Sequence, residues 1–273
     1  MRSILPLLCC WLMGWPGQAA AQDTRARRAR SPQSACDTVR TQDVIEGIGS
    51  RGEITLASGR VAMLSGLRVP EQPEDAARFT GWASRRKGQR VEVATLGAKS
   101  DRWGRVTSVI TILDEAEPVD LAGAAIEAGL ALVDAGPADT LCRPALLAIE
   151  AAARTKGVGL WAADAAAPVA AEDAARLRSL VGTFALAEGR IRSIGERPQR
   201  TYLNFGADWS KSLTITIPKR TWRIMLDRGL SAATLKGRRV RARGIVEDGR
   251  GPSIDLTAVE MLEILNEDGA PRR

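Results

Sequence analysis

The sequence predicts an α+β fold, mainly strand with a few helices, built as two small β-barrels in tandem. Three observations carry this. Between residues 43 and 115, short apolar and polar alternations are broken by turn signals. Two segments with a helical period then follow, over 120–131 and 141–156. Beyond an Ala-rich stretch the strand pattern resumes over 178–266.

The chain has 273 residues, a formal charge of +7, four cysteines and no histidine. Residues 1–21 read as a signal peptide: Arg2, an apolar run over 4–15, then Ala19-Ala20-Ala21. Cleavage is expected after Ala21, and the apolar run is too short to span a bilayer. This places the mature protein in the periplasm or outside the cell. A lipoprotein reading through Cys9 or Cys10 lacks small residues at the two preceding positions. Cleavage leaves Cys36 and Cys142, an even count that favours a disulfide in an oxidising compartment. Residues 22–42 read as a basic arm, with Arg25, Arg27, Arg28 and Arg30 suited to an anionic membrane surface or nucleic acid. The absence of histidine excludes a Ser-His-Asp triad, an H-E-x-x-H zinc site and a histidine base.

In the first region a strand starts over 44–47 and continues over 53–57, with a turn at Ser58-Gly59. The next strand, 60–67, sets Val61, Met63 and Ser65 on one face and Ala62, Leu64 and Gly66 on the other. A helix is predicted over 74–87, because Pro73 suits its first turn and Gly88 ends it. Segments 90–96 and 106–113 make a hairpin whose tip is Asp101-Arg102-Trp103-Gly104-Arg105. Leu121, Ala125, Ile126 and Leu130 line the helix over 120–131. Leu146, Leu147, Ile149 and Ala153 line the helix over 141–156, which stops at Gly157.

Residues 164–177 read as an Ala-rich linker, and 267–273 as a flexible tail. Within 178–266 the expected strands are 181–194, 201–206, 212–218, 238–247 and 253–264, with a helix over 220–228. Three strands, a helix and two strands is the order of an OB-fold. Tyr202 and Trp209 are candidate base-stacking residues, though Tyr202 and Phe205 lie on opposite strand faces. Arg239, Arg241 and Arg243 alternate with Val240, Ala242 and Gly244, so they are expected on one solvated basic face beside Arg238.

The stretch Gly66-Leu67-Arg68-Val69-Pro70-Glu71, taken with Asp101-Arg102-Trp103-Gly104-Arg105, resembles the active-site segments of the thermonuclease (staphylococcal nuclease-like) family. The resemblance covers about residues 44–163 and implies a five-stranded OB-like barrel with three helices, over 43–163. It implies that Glu71 holds the general-base position and Arg105 the transition-state arginine. Calcium would be the cofactor of an active member. Two positions depart: Met63 stands where the family has an arginine, and Arg68 where it has a metal carboxylate. A thioether cannot donate to phosphate, and loss of such a donor costs on the order of 10²–10³ in rate. A guanidinium ~4 Å from a dication faces about 8 kcal/mol of repulsion at an effective dielectric of ~20. Glu53 is the nearest replacement metal ligand.

Three readings follow. The first is an exported thermonuclease-like protein with impaired catalysis that binds nucleic acid or another polyanion, using Arg68 with the candidates of the second barrel. The second is an atypical calcium-dependent phosphodiesterase built on Glu71, Arg105 and Glu53. The third is an envelope interaction module that takes no nucleic acid.

Overall fold

The computed structural model describes residues 36, 38–97, 100–136, 138, 140–162 and 166–266. The expected signal peptide, the arm arginines and the tail lie outside those residues. All described residues belong to one compact unit, Pro32–Arg273. None of its described helices is long and apolar enough to cross a membrane.

Eight short strands and three helices make the first half. They are β1 (Thr38–Ile48), β2 (Glu53–Leu56), β3 (Val61–Leu64), β4 (Leu67–Arg68), α1 (Pro73–Ser84), β5 (Arg90–Leu96), β6 (Val106–Ile112), β7 (Val119–Asp120), α2 (Leu121–Glu127), β8 (Leu132–Val133) and α3 (Ala145–Lys156). Strands order as β3-β2-β1-β5-β6, and a parallel β3–β6 pairing closes them into a five-stranded barrel. The fold is therefore α+β with an OB-like barrel. Alternation explains its interior: Ile54 and Leu56, Ala62 and Leu64, Val91 and Val93, and Ile110 and Ile112 all point inward and are buried. Phe79 and Ala83 bury one side of α1 on the same core.

Helix ends differ from the sequence expectation for local reasons. α1 stops at Ser84, because Arg86 and Lys87 amides turn back on the Ala83 and Ser84 carbonyls. α2 is capped by Asp120, whose carboxylate accepts the Gly123 amide. It ends early because Gly129 (φ 65°) lies against the Val158–Gly159 backbone, where a Cβ would collide. α3 starts only after Pro144 and ends at Gly157 in the left-handed conformation. The Cys36–Cys142 disulfide is formed, with Cα atoms 5.4 Å apart, and joins the residues before β1 to those before α3.

The second half contains β9 (Val169–Ala170), α4 (Ala174–Arg178), β10 (Phe184–Arg190), β11 (Ser193–Glu196), β12 (Arg200–Asn204), β13 (Thr214–Pro218), α5 (Lys219–Asp227), α6 (Ala232–Leu235), β14 (Arg239–Asp248), β15 (Pro252–Asp255) and β16 (Leu262–Ile264). They form an eight-stranded sheet in the order β11-β12-β13-β15-β14-β10-β9, with β16 on β14. The strand expected over 181–194 breaks at Ile191-Arg192, and that expected over 253–264 is split by a short helical turn, Val259–Met261. The expected linker is folded: Val169 and Ala170 pair in parallel with Ala187 and Glu188, and Ala171 and Leu177 are fully buried. One continuous apolar cluster runs from Ile45 and Val133 of the first half to Leu203, Trp222 and Met261 of the second.

Candidate functional site

Each of the two resemblance motifs is held by its own set of ion pairs. β4 pairs with β8, which aims Arg68 at Asp134 just beyond β8. Arg68 Nε donates to Asp134 at 2.8 Å, and a terminal nitrogen donates to Glu71 at 3.2 Å. The Phe184 ring lies over the same guanidinium, 4.9 Å from its carbon. The Phe184 amide donates to the other Glu71 oxygen at 3.1 Å. Both Glu71 oxygens are therefore engaged, one of them by β10. Around them is an open, shallow cleft whose lining includes Arg68, Glu71, Asp75, Arg176 and Phe184.

At the β5–β6 hairpin, Asp101 braces the turn as its position suggests. Its carboxylate accepts the Trp103 and Arg105 amides and the Arg105 Nε. Burial pushes the Asp101 carboxyl up, but these bonds outweigh it and hold the group below the usual range. Gly104 (φ 77°) completes the reversal. Arg105 also donates to Glu53 at 3.4 Å, while the other Glu53 oxygen accepts the Arg51 amide at 3.0 Å. Met63 faces Glu53 in the β2–β3 register, so a thioether stands where the resemblance implies an arginine. Among the described residues no hydrogen bond or ion pair joins Glu71 to Arg105.

A calcium ion does not fit these residues. Glu53 is committed to Arg105 and to the Arg51 amide, and the other carboxylate position holds a guanidinium. No group of three acidic, histidine or cysteine side chains among the described residues could hold a metal. The donor set is thus that of a network of closed ion pairs, with each carboxylate facing a cation of the chain itself.

One functional candidate escaped the sequence reading. Trp103 is 61% exposed at the hairpin tip, with the Arg102 and Arg105 guanidinium carbons 3.9 and 4.6 Å from its ring centre. The signal was present as an aromatic between two arginines in a turn.

The basic face expected of β14 is not a face. Arg241 and Arg243 are buried, and Arg239 is only partly exposed. Arg243 donates to Glu150 of α3 at 2.5 Å, to the Val133 carbonyl at 3.4 Å, and to Glu263 of β16. Burial pushes the Arg243 guanidinium down, but Glu150 and Glu263 outweigh it and hold it up. Arg241 binds Glu188 at 2.8 Å, and Arg239 binds the same carboxylate at 3.0 Å. The physical reason is a second layer: Glu150 of α3 and Val133 of β8 lie against the side of β14 on which solvent was expected, and β16 pairs along β14 and sets Glu263 beside Arg241. Arg241 and Arg243 are internal ion-pair partners, withdrawn from solvent in this fold.

Of the aromatic candidates, Phe205 is core, Tyr202 is half-buried on the outer side of β12, and Trp209 is 49% exposed in the turn before β13. Arg238 is exposed and bonds back to the Thr234 carbonyl at 3.3 Å. No family model matches the chain, and no curated protein matches it.

Proposed function

We propose that this is an exported, thermonuclease-like protein whose nuclease site is degenerate, and that it acts by binding single-stranded nucleic acid at the β5–β6 hairpin. The carrying observation is Trp103, exposed at 61% and flanked by the guanidinia of Arg102 and Arg105. A base can stack on this ring by displacing the exposed Arg102 guanidinium from it, and that cation is then placed to meet phosphate. Support for lost catalysis comes from Arg68 and Phe184, which occupy Glu71, and from Arg105 and the Arg51 amide, which occupy Glu53. The phosphodiesterase alternative requires both carboxylates to leave these donors.

The second sheet supports a finer reading as another OB-like barrel. β11–β12, β12–β13 and β14–β15 pair antiparallel, and β13–β15 pair in parallel. β10 pairs with β14 and continues through the bend at Ile191-Arg192 into β11, so one bent strand would close the circuit.

The test is fluorescence anisotropy of labelled oligo(dT) with the full chain. Trp103→Ala should weaken binding about ten-fold or more, the range of one lost stacking contact. Arg102→Ala should lower the salt slope by about one unit. Binding unchanged by both substitutions, or calcium-dependent cleavage lost in Arg105→Ala, would overturn the reading.

A further inference from the structure

We infer that the buried layer between α3 and β14 holds one small monovalent inorganic anion, of the halide class, between Arg154 and Arg241. The observation is a surplus of buried donors. Arg154 Nη1, Arg241 Nη1, Arg243 Nε and the Trp161 indole N–H are all shielded from solvent and have no hydrogen-bond partner among the described residues. The side chains of Arg241 and Arg243 are 5% and 0% exposed. Donors at such depth are costly to leave unmet, and a cluster of them calls for an acceptor.

Topology brings these donors together. Leu186 of β10 lies opposite Arg243 and packs in one cluster with Ala153 and Trp161. That seats the end of α3 on the side of β14 from which Arg241 and Arg243 project. Arg154 follows Ala153, and its guanidinium carbon is 5.4 Å from the Trp161 ring centre. Its Nη1 stops 3.8 Å from Glu150, the carboxylate that Arg243 already holds at 2.5 Å. Arg241 Nη1 stops 3.5 Å from Glu263, which Arg243 also binds. Both gaps exceed the usual N–H···O range of about 2.7–3.2 Å. Three arginines thus share Glu150 and Glu263, while a third carboxylate, Glu188, is divided between Arg241 and Arg239. Burial and then the Arg241 charge push the Arg154 guanidinium below its usual range, against the pull of Glu150 and Glu263.

Chemistry selects the ligand class. The unmet side-chain groups of this layer are all donors, so the ligand must accept without donating. Water accepts from two of them, but its own protons then need acceptors, and it brings no charge to cations that repel each other. A halide needs no acceptor and is attracted by both guanidinia. A divalent anion would exchange one unbalanced buried charge for another. Size agrees: of the three arginines only Arg154 reaches the surface, with its side chain 19% exposed, so the way in is narrow. The site uses none of the groups assigned to nucleic acid at the β5–β6 hairpin.

Thermal unfolding of the full chain in rising sodium chloride, to about 200 mM, tests this, with sodium gluconate holding ionic strength constant so that surface screening cancels. A site with a Kd of about 10 mM gives a saturable rise in Tm of about 4 °C, and sodium bromide should do the same. In Arg154→Met the rise should vanish. In gluconate alone that variant should unfold within about 2 °C of wild type, because it loses a cation that Arg241 repels. A merely structural ion pair would instead lower Tm equally in both salts. Excess ³⁵Cl line width reads binding without reference to stability, and should be at least about five-fold smaller with Arg154→Met than with wild type. No saturable rise in wild type would overturn the inference and leave the layer to water. A rise and a line width that both survive Arg154→Met would overturn it by placing the anion elsewhere.

Discussion

Replacing Arg243 by Met removes the cation between Glu150 and Glu263, and the structure sets the size of the effect. The Arg243 and Glu150 side chains are both 0% exposed, and Glu263 is 8% exposed. Removing one partner of such a pair strands a buried charge, at a cost of about 3–5 kcal/mol. Two neighbours soften the loss: Arg154 lies 3.8 Å from Glu150, and Arg241 lies 3.5 Å from Glu263. The expectation is therefore about 3 kcal/mol, or roughly 6–12 °C in Tm for a unit of this size. Urea unfolding at pH 7, followed by tryptophan fluorescence and far-UV circular dichroism, measures it. Arg239→Met is the control: its pair with Glu188 is partly exposed and should cost about 1 kcal/mol or less. Replacing Arg243, Glu150 and Glu263 together by apolar residues should recover part of the loss, since no charge is left unpaired. A loss below about 1 kcal/mol for Arg243→Met, or equal losses for it and Arg239→Met, would refute the role assigned to the buried triad.

Three further outcomes are expected. Cys36→Ser with Cys142→Ser opens a loop with a separation of 106 residues; chain entropy puts the upper bound near ~4.7 kcal/mol, and an unchanged Tm between oxidised and reduced wild-type protein would refute it. Burial pushes the Asp43 carboxyl up, but bonds from Ser58, the Val44 amide and Arg60 outweigh it and lower the pKa to about 2. Its contribution is then present above the unfolded value near 3.8 and lost as pH falls through about 2. Asp43→Asn should cost about 1–2 kcal/mol at pH 7, less where solvent screens the Arg60 pair, and the deficit should vanish near pH 2 in acid titrations. Because Glu53 and Arg68 are committed elsewhere, millimolar calcium should leave Tm unchanged; a rise with calcium concentration would show that a site forms.

Local physics made much of the fold legible. β5 begins and ends where its alternation and the flanking glycines place it, and α1 starts at Pro73. Segments whose structure is supplied from elsewhere were not legible. Thr38 to Gln42 are exposed and mostly polar, so nothing local marks them as strand; β5 recruits them, with Thr38 opposite Leu96 and Asp43 opposite Val91. The Ala-rich stretch looked like a tether for the same reason. Val169 and Ala170 become strand only because β10 offers a free edge, and Ala171 is buried only because Phe205 and Gly189 surround it.

The site was harder to read than the fold, because charges report their role only through partners. The alternation of Arg239, Arg241 and Arg243 with small apolar residues implies one wet face if a strand has a single covering layer. Here β14 is covered on both sides, and a doubly covered strand carries arginine only where carboxylates meet it. Those carboxylates come from Glu150 and Glu263, 93 and 20 residues away from Arg243. Glu71 shows the same logic in reverse. Its Pro-Glu context resembles that of a catalytic base, yet one of its two donors, beside Arg68, is the backbone of Phe184, 113 residues later. A backbone amide leaves no mark on side-chain identity, so no reading of residue types at position 184 would have found it. A carboxylate's letter fixes that it can accept a proton; whether it is free to do so depends on the strand folded against it.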